Sequence, residues 1–268
     1  MHTPALLLSI RCCWSGLEIK ANFTEVRHVT ISNPPNGYPV SAGEQQSFNT
    51  DGVDCMGDPF YVCVAFRHSQ RPLTDVRAFV TVCCRHHCNL STGDDNVALH
   101  FNITLIEKNF FGTGHGASIG SLGPGSAWLT NITVRDCVFH RTQLGVRLKV
   151  HPGAAIGRVW DVLYEDLTMV EVQTAISIDE YYFDPRSEPT FLRVDGLRVR
   201  RLRAYRTQGP VAAVLDCQPS APCRNVSLED VRLVDSAGAA FLCANVAGTA
   251  RGVLPTAGLA NASCHWAT

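Results

Sequence analysis

The sequence predicts an all-β chain wound as a right-handed parallel β-helix, and two recurring strands carry this prediction. A short apolar strand returns as "GASIG", "GVRLK", "AISID", "AAVLD" and "AAFLC", at steps of 29, 30, 37 and 27 residues. Between these copies a second strand recurs as "NITVRDCVF", "WDVLYEDLTM", "VDGLRVRRLRAY" and "NVSLEDVRLV", and helix-period segments are nearly absent. Short strands that return at such steps are typical of coils that stack on one another.

An antiparallel sandwich is the alternative architecture, but it does not explain why the same motif returns at the same phase of each repeat. In stacked coils, residues at matching phases lie about 4.8 Å apart along one face. Polar residues at one phase therefore form a column, and that column is where we expect the chemistry.

The length and charge of the chain limit the classes of function. We expect residues 1–268 to form a single domain. The net charge of -1, with acidic and basic residues interspersed, predicts neither a nucleic-acid partner nor a membrane partner. The N-terminal "MHTPALLLSIRCCWSG" has no basic region and no small-residue cleavage site, so it resembles a strand more than a signal peptide. Its apolar run is also too short to span a bilayer.

The cysteines and glycosylation sequons suit an oxidising compartment. Twelve cysteines are present, and Cys217 and Cys223 could close a short loop. Six Asn-x-Ser/Thr sequons begin at Asn22, Asn89, Asn102, Asn131, Asn225 and Asn261. The same triplets are also typical of strand starts, so both interpretations stay open.

Five polar motifs follow one another along the chain. They are "NTDG" at 49–52, "GDD" at 93–95, "GHG" at 114–116, "RLK" at 147–149 and the tyrosine pair at 181–182. Each motif is weak alone. Together and in this order, over roughly residues 30–183, they resemble glycoside hydrolase family 28, which contains the polygalacturonases and related pectin hydrolases.

This resemblance implies roles for three aspartates and a histidine. Inverting hydrolysis needs one protonated carboxylic acid and one carboxylate that activates water. By motif match, Asp94 resembles the general acid, while Asp51 and Asp95 resemble the pair that binds and deprotonates the water. Crowding of carboxylates would raise the pKa of the acid. His115 is similar to the family histidine beside the acid, and Gly93 would allow the backbone bend that lets both Asp94 and Asp95 reach one cleft.

Two cations and a tyrosine complete the expected site. Arg147 and Lys149 lie two residues apart on a strand, so their side chains project to the same face. Cations on the active face imply an anionic substrate such as galacturonate, although a solvated strand face is the commonest fate of such a pair. Tyr182 resembles the family tyrosine that packs against the sugar, and Tyr181 is the weaker match.

The chain departs from the family pattern in two places. It is N-terminally short relative to the family, whose members usually begin several coils earlier. An atypical insert at about 63–87 separates Asp51 from Asp94, and three interpretations stay open: a bulged loop, which we favour over an extra coil, an extra coil, or a translated intron. The insert and the residue after it contain Cys83, Cys84, His86, His87 and Cys88, but these lack a second spaced pair, so we predict no metal site there.

These observations favour an inverting, cofactor-free, monomeric hydrolase of α-1,4-galacturonosidic linkages in pectic homogalacturonan, located outside the cell or in the cell wall by family resemblance. Hydrolysis of a rhamnose-containing pectin fits the Arg/Lys pair less well. A truncated or inactive β-helix that binds pectin without cleaving it is the main alternative. A calcium-dependent pectate lyase is a third.

Overall fold

The computed structural model describes residues 89–100, 102, 104–123, 125–153, 155–182 and 188–267, together with the backbone of four short strands nearer the N-terminus. Within these ranges the chain forms strands and turns, and no helix suited to crossing a membrane occurs.

The described part of the chain contains twenty strands. They are β1 (Ser9–Ile10), β2 (Leu17–Ile19), β3 (Thr30–Ser32), β4 (Val53–Cys55), β5 (Asn89–Ser91), β6 (Val97–Leu99), β7 (Thr104–Glu107), β8 (Phe110–Phe111), β9 (Ala117–Leu122), β10 (Gly125–Arg135), β11 (Val138–His140), β12 (Leu144–Val150), β13 (Ala155–Val170), β14 (Thr174–Asp179), β15 (Phe191–Tyr205), β16 (Val211–Asp216), β17 (Cys223–Val234), β18 (Ala239–Ala244), β19 (Val246–Arg251) and β20 (Cys264–Ala267).

The strands form two parallel sheets that share one core. The eight-stranded sheet has the order β18-β16-β14-β12-β9-β6-β4-β2. The twelve-stranded sheet has the order β1-β3-β5-β8-β11-β13-β15-β17-β19-β20, with β10 between β7 and β13. Each strand pairs with the equivalent strand of the next coil. The predicted right-handed parallel β-helix is therefore confirmed.

The repeat found in the sequence corresponds to five consecutive strands of the eight-stranded sheet. Its five copies are β9, β12, β14, β16 and β18. One column of side chains runs through them at matching register and is buried throughout: Ala117, Val146, Ile176, Ala213 and Phe241. Burial of one apolar side chain per coil at a fixed phase explains why the motif recurs.

Corners between strand segments are made by single residues with positive φ. Three sets of such residues recur, with φ between 50° and 59°: Lys108, Asp136, Asp166, Arg201 and Asp230; Asn131, Asp161 and Asn225; and Arg141, Glu171, Arg206 and Asp235. Asn and Asp tolerate this conformation better than other residues with a side chain. Two of the sequons thus begin at corners of the coil, which accounts for an asparagine there whether or not it carries a glycan.

The arginine-rich strand β15 is balanced by acids on neighbouring coils. Arg198 contacts Asp161 at 2.6 Å, Arg200 contacts Glu165 at 2.5 Å, and Arg203 contacts Asp230 at 2.5 Å. Each partner lies on an adjacent strand of the twelve-stranded sheet. The run "VRRLR" is therefore matched by opposite charge across the coils.

Two disulfides fasten the C-terminal coils. Cys217 is bonded to Cys223, so the short loop that the sequence allowed is present, and Cys243 is bonded to Cys264. Cys137 is a buried free thiol, and burial raises its pKa to about 12. A thiol with such a pKa is unreactive.

The strands before and after the predicted insert pair directly with each other. β3 pairs with β5 and β4 pairs with β6, and within the described part of the chain no strand lies between either pair. The insert at 63–87 and Asp51 lie outside the described residues, so the single-domain boundary, the form of the insert and the role of Asp51 stay predictions.

The core of the stack can be tested at Phe139. Its side chain is fully buried, and its ring centroid lies 4.8 Å from that of Phe111 on the preceding coil. We expect Phe139→Ala to lower the free energy of unfolding by about 3 to 5 kcal/mol, because it leaves a cavity between coils. The neighbouring Val138 is 38% exposed, so Val138→Ala should cost far less in the same denaturant titration. Equal losses would show that this part of the core is loosely packed.

Candidate active site

The predicted polar column lies on the outer face of the eight-stranded sheet. Asp94 and Asp95 occupy the turn between β5 and β6, where the chain bends at Gly93 and Asp94. His115 lies in the equivalent turn of the next coil, before β9. Arg147 and Lys149 lie on β12, which pairs with β9.

Asn96 locks the two turns together, although it does not face the column. Its Nδ2 donates to the carbonyl oxygens of Leu90 at 2.9 Å and Thr113 at 3.0 Å, and its Oδ1 accepts from the amide of Gly116 at 2.8 Å. The side chain has no exposed surface. One buried amide therefore binds three backbone groups and joins the two turns.

Both glycines beside His115 are required by close approach. A Cβ at Gly116, where φ is +82°, would lie 2.1 Å from the carbonyl oxygen of Leu144. At Gly114, where φ is +141°, it would lie 2.5 Å from the hydroxyl of Thr92. Any larger residue would push the His115 turn away from its neighbouring coils.

His115 and Asp94 form a hydrogen-bonded pair. The Nδ1 atom of His115 lies 2.9 Å from Oδ1 of Asp94, and the backbone amide of His115 donates to the carbonyl oxygen of Asp94 at 2.8 Å. Burial raises the pKa of Asp94, but the hydrogen bond and charge of His115, the charge of Lys149 and the amide of Asp95 together lower it below its ordinary value. Among the described residues, crowding by Asp95 therefore does not raise the pKa of Asp94 as the sequence suggested. The side chain of Asp94 is 24% exposed, so it faces the solvent side of the site.

Asp95 is buried beneath this pair and accepts three hydrogen bonds. Ser118 Oγ donates to Oδ1 at 2.7 Å, Arg147 Nη1 donates to Oδ1 at 2.8 Å, and Lys149 Nζ donates to Oδ2 at 2.5 Å. Asp95 is 2% exposed, and the two cations are 8% and 6% exposed. Removing one partner from such a buried ionic group leaves a charge without compensation, which is typically far more costly than losing a surface ion pair.

The ring of Tyr182 packs against both Arg147 and Lys149. Its ring centroid lies 5.4 Å from Cζ of Arg147 and 5.3 Å from Nζ of Lys149, within the range of cation–π attraction. His151 packs against the same ring edge-on at 5.3 Å. Of the two adjacent tyrosines, Tyr182 is thus the one whose ring lies against the cations.

Support for the site extends across the core. Tyr164 is on the twelve-stranded sheet, yet its buried hydroxyl donates to the carbonyl oxygen of Ala117 at 3.1 Å, next to Ser118. Burial raises the pKa of this tyrosine, so its hydroxyl stays protonated and can donate. Burial and the charge of Lys149 lower the pKa of His100, which favours a neutral ring.

The structure brings together six of the seven predicted site residues: Asp94, Asp95, His115, Arg147, Lys149 and Tyr182. Asp51 lies outside the described residues. The sequence analysis missed Ser118 and Asn96. Ser118 could have been found, because it pairs in register with Arg147 and so lies at the same outward phase of the repeat.

Two groups of side chains in the described region could geometrically hold a metal ion. Donor atoms of Asp94, Asp95 and His115 lie within 4.8 Å of one another. A cation there would compete with Arg147 and Lys149 for the oxygens of Asp95, so this set does not favour a metal. The second group contains Glu180, but its cysteines, Cys217 and Cys223, are bonded to each other and have no thiolate to offer.

Comparison with known proteins identifies the relatives of the chain. The family model described as glycosyl hydrolases family 28 matches residues 80–264. An exopolygalacturonase of Platanus acerifolia is 34% identical over an alignment of 175 residues that covers 61% of this chain and 46% of that protein. A polygalacturonase of Medicago sativa is 32% identical over an alignment of 232 residues that covers 82% of this chain and 49% of that protein. The chain thus spans about half the length of these relatives.

Solved structures share the fold at low sequence identity. The structure of an exopolygalacturonase of Thermotoga maritima superposes with a TM-score of 0.60 at 18% identity, and the match covers 85% of this chain and 46% of that chain. The structure of a polygalacturonase of Erwinia carotovora superposes with a TM-score of 0.53 at 24% identity, and the match covers 87% of this chain and 52% of that chain.

The lock formed by Asn96 can be tested by Asn96→Asp. Aspartate keeps the size of the side chain and the acceptor for Gly116, but it loses both donors and places a carboxylate beside two carbonyl oxygens. We expect a loss of roughly 2 to 4 kcal/mol in the free energy of unfolding at pH 7. Asn131→Asp is the matched control, because Asn131 is exposed and its φ of 56° suits either residue. A midpoint of denaturation as high as that of the control would contradict the proposed lock.

Proposed function

Because the chain belongs to glycosyl hydrolases family 28, we propose that it hydrolyses α-1,4-galacturonosidic linkages of pectic homogalacturonan with inversion of configuration. The observation that carries this proposal is the cluster on one outer face: a partly exposed acid, Asp94, bonded to His115 above a buried carboxylate bound to two cations. Acid–base groups supply the chemistry of glycoside hydrolysis, and the cations supply selectivity for a uronate.

Asp94 is proposed as the general acid. It is the carboxyl group of the cluster that solvent reaches, and His115 holds one of its oxygens so that the group has a defined orientation. Its pKa is lowered in the free site, so it would be protonated mainly at acidic pH. A bound uronate would displace water and bring a second negative charge, and both effects raise the pKa of Asp94 at the moment when it must donate.

Asp95 is proposed to share the binding of the attacking water with Asp51. Asp94 and Asp95 offer oxygens within 4.8 Å of each other, which is closer than the roughly 6.5 to 9.5 Å usual between the acid and base of an inverting enzyme. Asp95 alone therefore leaves little room for water opposite the acid, and the sequence offers Asp51 as the second carboxylate. Ser118, Arg147 and Lys149 fix the orientation of Asp95.

The proposed substrate is an acidic polymer because the cluster that carries the partly exposed Asp94 also contains two cations, Arg147 and Lys149. Arg147 and Lys149 each donate one hydrogen bond to Asp95. A guanidinium group has five N–H donors and an ammonium group has three. The remaining donors could bind the carboxylate of a galacturonate ring while Tyr182 packs beside it. A neutral sugar would leave these donors without a charged partner.

We further propose that the chain works in an oxidising compartment outside the cell. The two disulfides of the C-terminal coils support this proposal, because such bonds persist where thiols are not kept reduced.

The reaction itself can be tested with polygalacturonate. We expect new reducing ends without unsaturated product, and the first anomer seen by proton NMR should be β, since inversion acts on an α-linkage. Retention of the polymer without shortening would indicate a binding protein instead. Unsaturated product that disappears with chelator would indicate a lyase.

Asp94→Asn tests the general acid. The amide keeps the shape of the side chain but cannot donate an acidic proton, so we expect kcat to fall by about 100-fold or more. Binding of oligogalacturonate, measured by calorimetry, should change by less than about threefold. Asp235→Asn is the control, because Asp235 is exposed at a corner of the coil. Activity of Asp94→Asn near that of the control would exclude Asp94 as the acid.

His115→Ala tests how the acid is tuned. His115 lowers the pKa of Asp94, so its removal should raise that pKa. The acid must be protonated to act, and its activity is lost as pH rises through its pKa. The alkaline limb of kcat/KM against pH should therefore move to higher pH in the variant, even though the maximum is lower. The exposed His265 provides the control variant His265→Ala. A limb that stays in place, or moves to lower pH, would contradict this coupling.

A further inference from the structure

A buried glutamine holds both ends of the segment that carries Tyr182. Gln218 is 2% exposed and lies in the turn after β16, one coil beyond that segment. Its Nε2 donates to the carbonyl oxygen of Glu180 at 2.8 Å, and its Oε1 accepts from the amide of Thr190 at 2.7 Å. We propose that Gln218 is a positioning residue for Tyr182, because it holds the backbone of Glu180, two residues before Tyr182, and that of Thr190 at the same time. The kinetic consequences of this inference rest on the proposed function.

Glu180 completes the clamp through its own side chain. The backbone amide of Gln218 donates to Oε2 of Glu180 at 2.7 Å, so the two residues are joined by bonds in both directions. Glu180 has no exposed surface, and burial raises its pKa to about 8. Below that pH the carboxyl group is neutral, so the clamp needs no buried cation to compensate it.

The clamp is itself anchored to the disulfide. Gln218 directly follows Cys217, and the Cys217–Cys223 bond closes the short turn in which it lies. Both cysteines are fully buried. Glu180 Oε1 lies 3.6 Å from Sγ of Cys223, so the disulfide also packs against the carboxyl group. The turn that holds Gln218 is therefore cross-linked by the disulfide and also contacts Glu180 directly.

Tyr182 depends on this arrangement because it lies two residues after Glu180. Its amide donates to the carbonyl oxygen of Val150 at 3.2 Å, and its ring lies against Arg147 and Lys149. Ser118 holds Asp95, and Asn96 holds the turn of His115 through the amide of Gly116, so neither contact involves Tyr182. Loosening the clamp should thus disturb the substrate-facing ring and leave the acid–base groups in place.

Only an amide of this length meets the demands of the site. One end of the side chain must donate to Glu180 while the other accepts from Thr190, and both partners are fully buried. A carboxylate can accept but cannot donate, and a leucine can do neither. The choice of glutamine is therefore explained by two buried backbone groups, one an acceptor and the other a donor, that a single amide can bind at once.

The decisive measurement is amide hydrogen exchange in the free protein, which needs no activity. In Gln218→Leu we expect the amides of residues 180–182, 188 and 190–192 to exchange at least about 10-fold faster than in the parent. Gln208→Leu is the matched control, because Gln208 is exposed and its side chain bonds only a neighbouring carbonyl oxygen in the described structure. Unchanged exchange in residues 180–192 of Gln218→Leu would overturn the inference.

A double-mutant cycle with Tyr182→Ala separates positioning from general stability. We expect Gln218→Leu to raise KM for oligogalacturonate about 10-fold with kcat within about threefold, since the loss of two buried hydrogen bonds is large enough for such a change. In the double variant with Tyr182→Ala the effects on KM should not add, because Gln218 acts through Tyr182. Additive effects would overturn the positioning role.

Two other results, a Gln218→Leu variant that does not fold and a parent protein without activity, still allow the clamp to be tested. If Gln218→Leu does not fold, Gln218→Glu decides: it keeps the acceptor for Thr190 but loses the donor to Glu180 at 2.8 Å and the longer bond to the carbonyl oxygen of Glu188 at 3.3 Å. Because the bond to Thr190 remains, exchange should rise at 180–182 more than at 190–192. Equal exchange at both ends would then reject the clamp. If the parent neither binds nor hydrolyses polygalacturonate, the proposed function fails, and hydrogen exchange still decides the clamp.

Discussion

In-register stacking of parallel coils is the constraint on which the rest of the molecule depends. Each strand of the eight-stranded sheet pairs with the equivalent strand of the next coil, so equivalent side chains repeat at one strand spacing of about 4.8 Å. Inward columns become the apolar core. Outward columns bring together residues far apart in sequence, and Asp95 thereby meets Lys149 across 54 positions of the chain.

The sequence was sufficient for the fold because the repeat encodes the stacking directly. A motif that returns at constant phase specifies both the strand and its neighbour, as the buried column from Ala117 to Phe241 demonstrates. The same phase argument placed Arg147 and Lys149 on one face. The corners were harder to predict, because Lys, Arg and Glu occupy some of the positive-φ positions and carry no turn signal in the sequence.

The electrostatics of the site could not be predicted from the motifs. The pattern pointed Arg147 and Lys149 toward a substrate, but their shared contact with Asp95 depends on side-chain paths that the pattern does not contain. The pKa of Asp94 depends on the competition between burial and His115, and spacing alone fixes neither effect. Gln218 could not be predicted for a similar reason, since Thr190 and Glu180 lie 28 and 38 residues away from it and its own turn has no recurring motif.

The disulfide between Cys243 and Cys264 changes how the last described strands can separate from the rest of the solenoid. In a solenoid each coil contacts only its neighbours, so thermal fraying can peel strands from an end one at a time. This bond ties the outermost described strand of one sheet, β18, to that of the other, β20, across 21 residues. The strands so joined form a closed ring that can detach only as a unit. Reduction would therefore change the order in which the solenoid comes apart, because it converts one cooperative step into stepwise peeling.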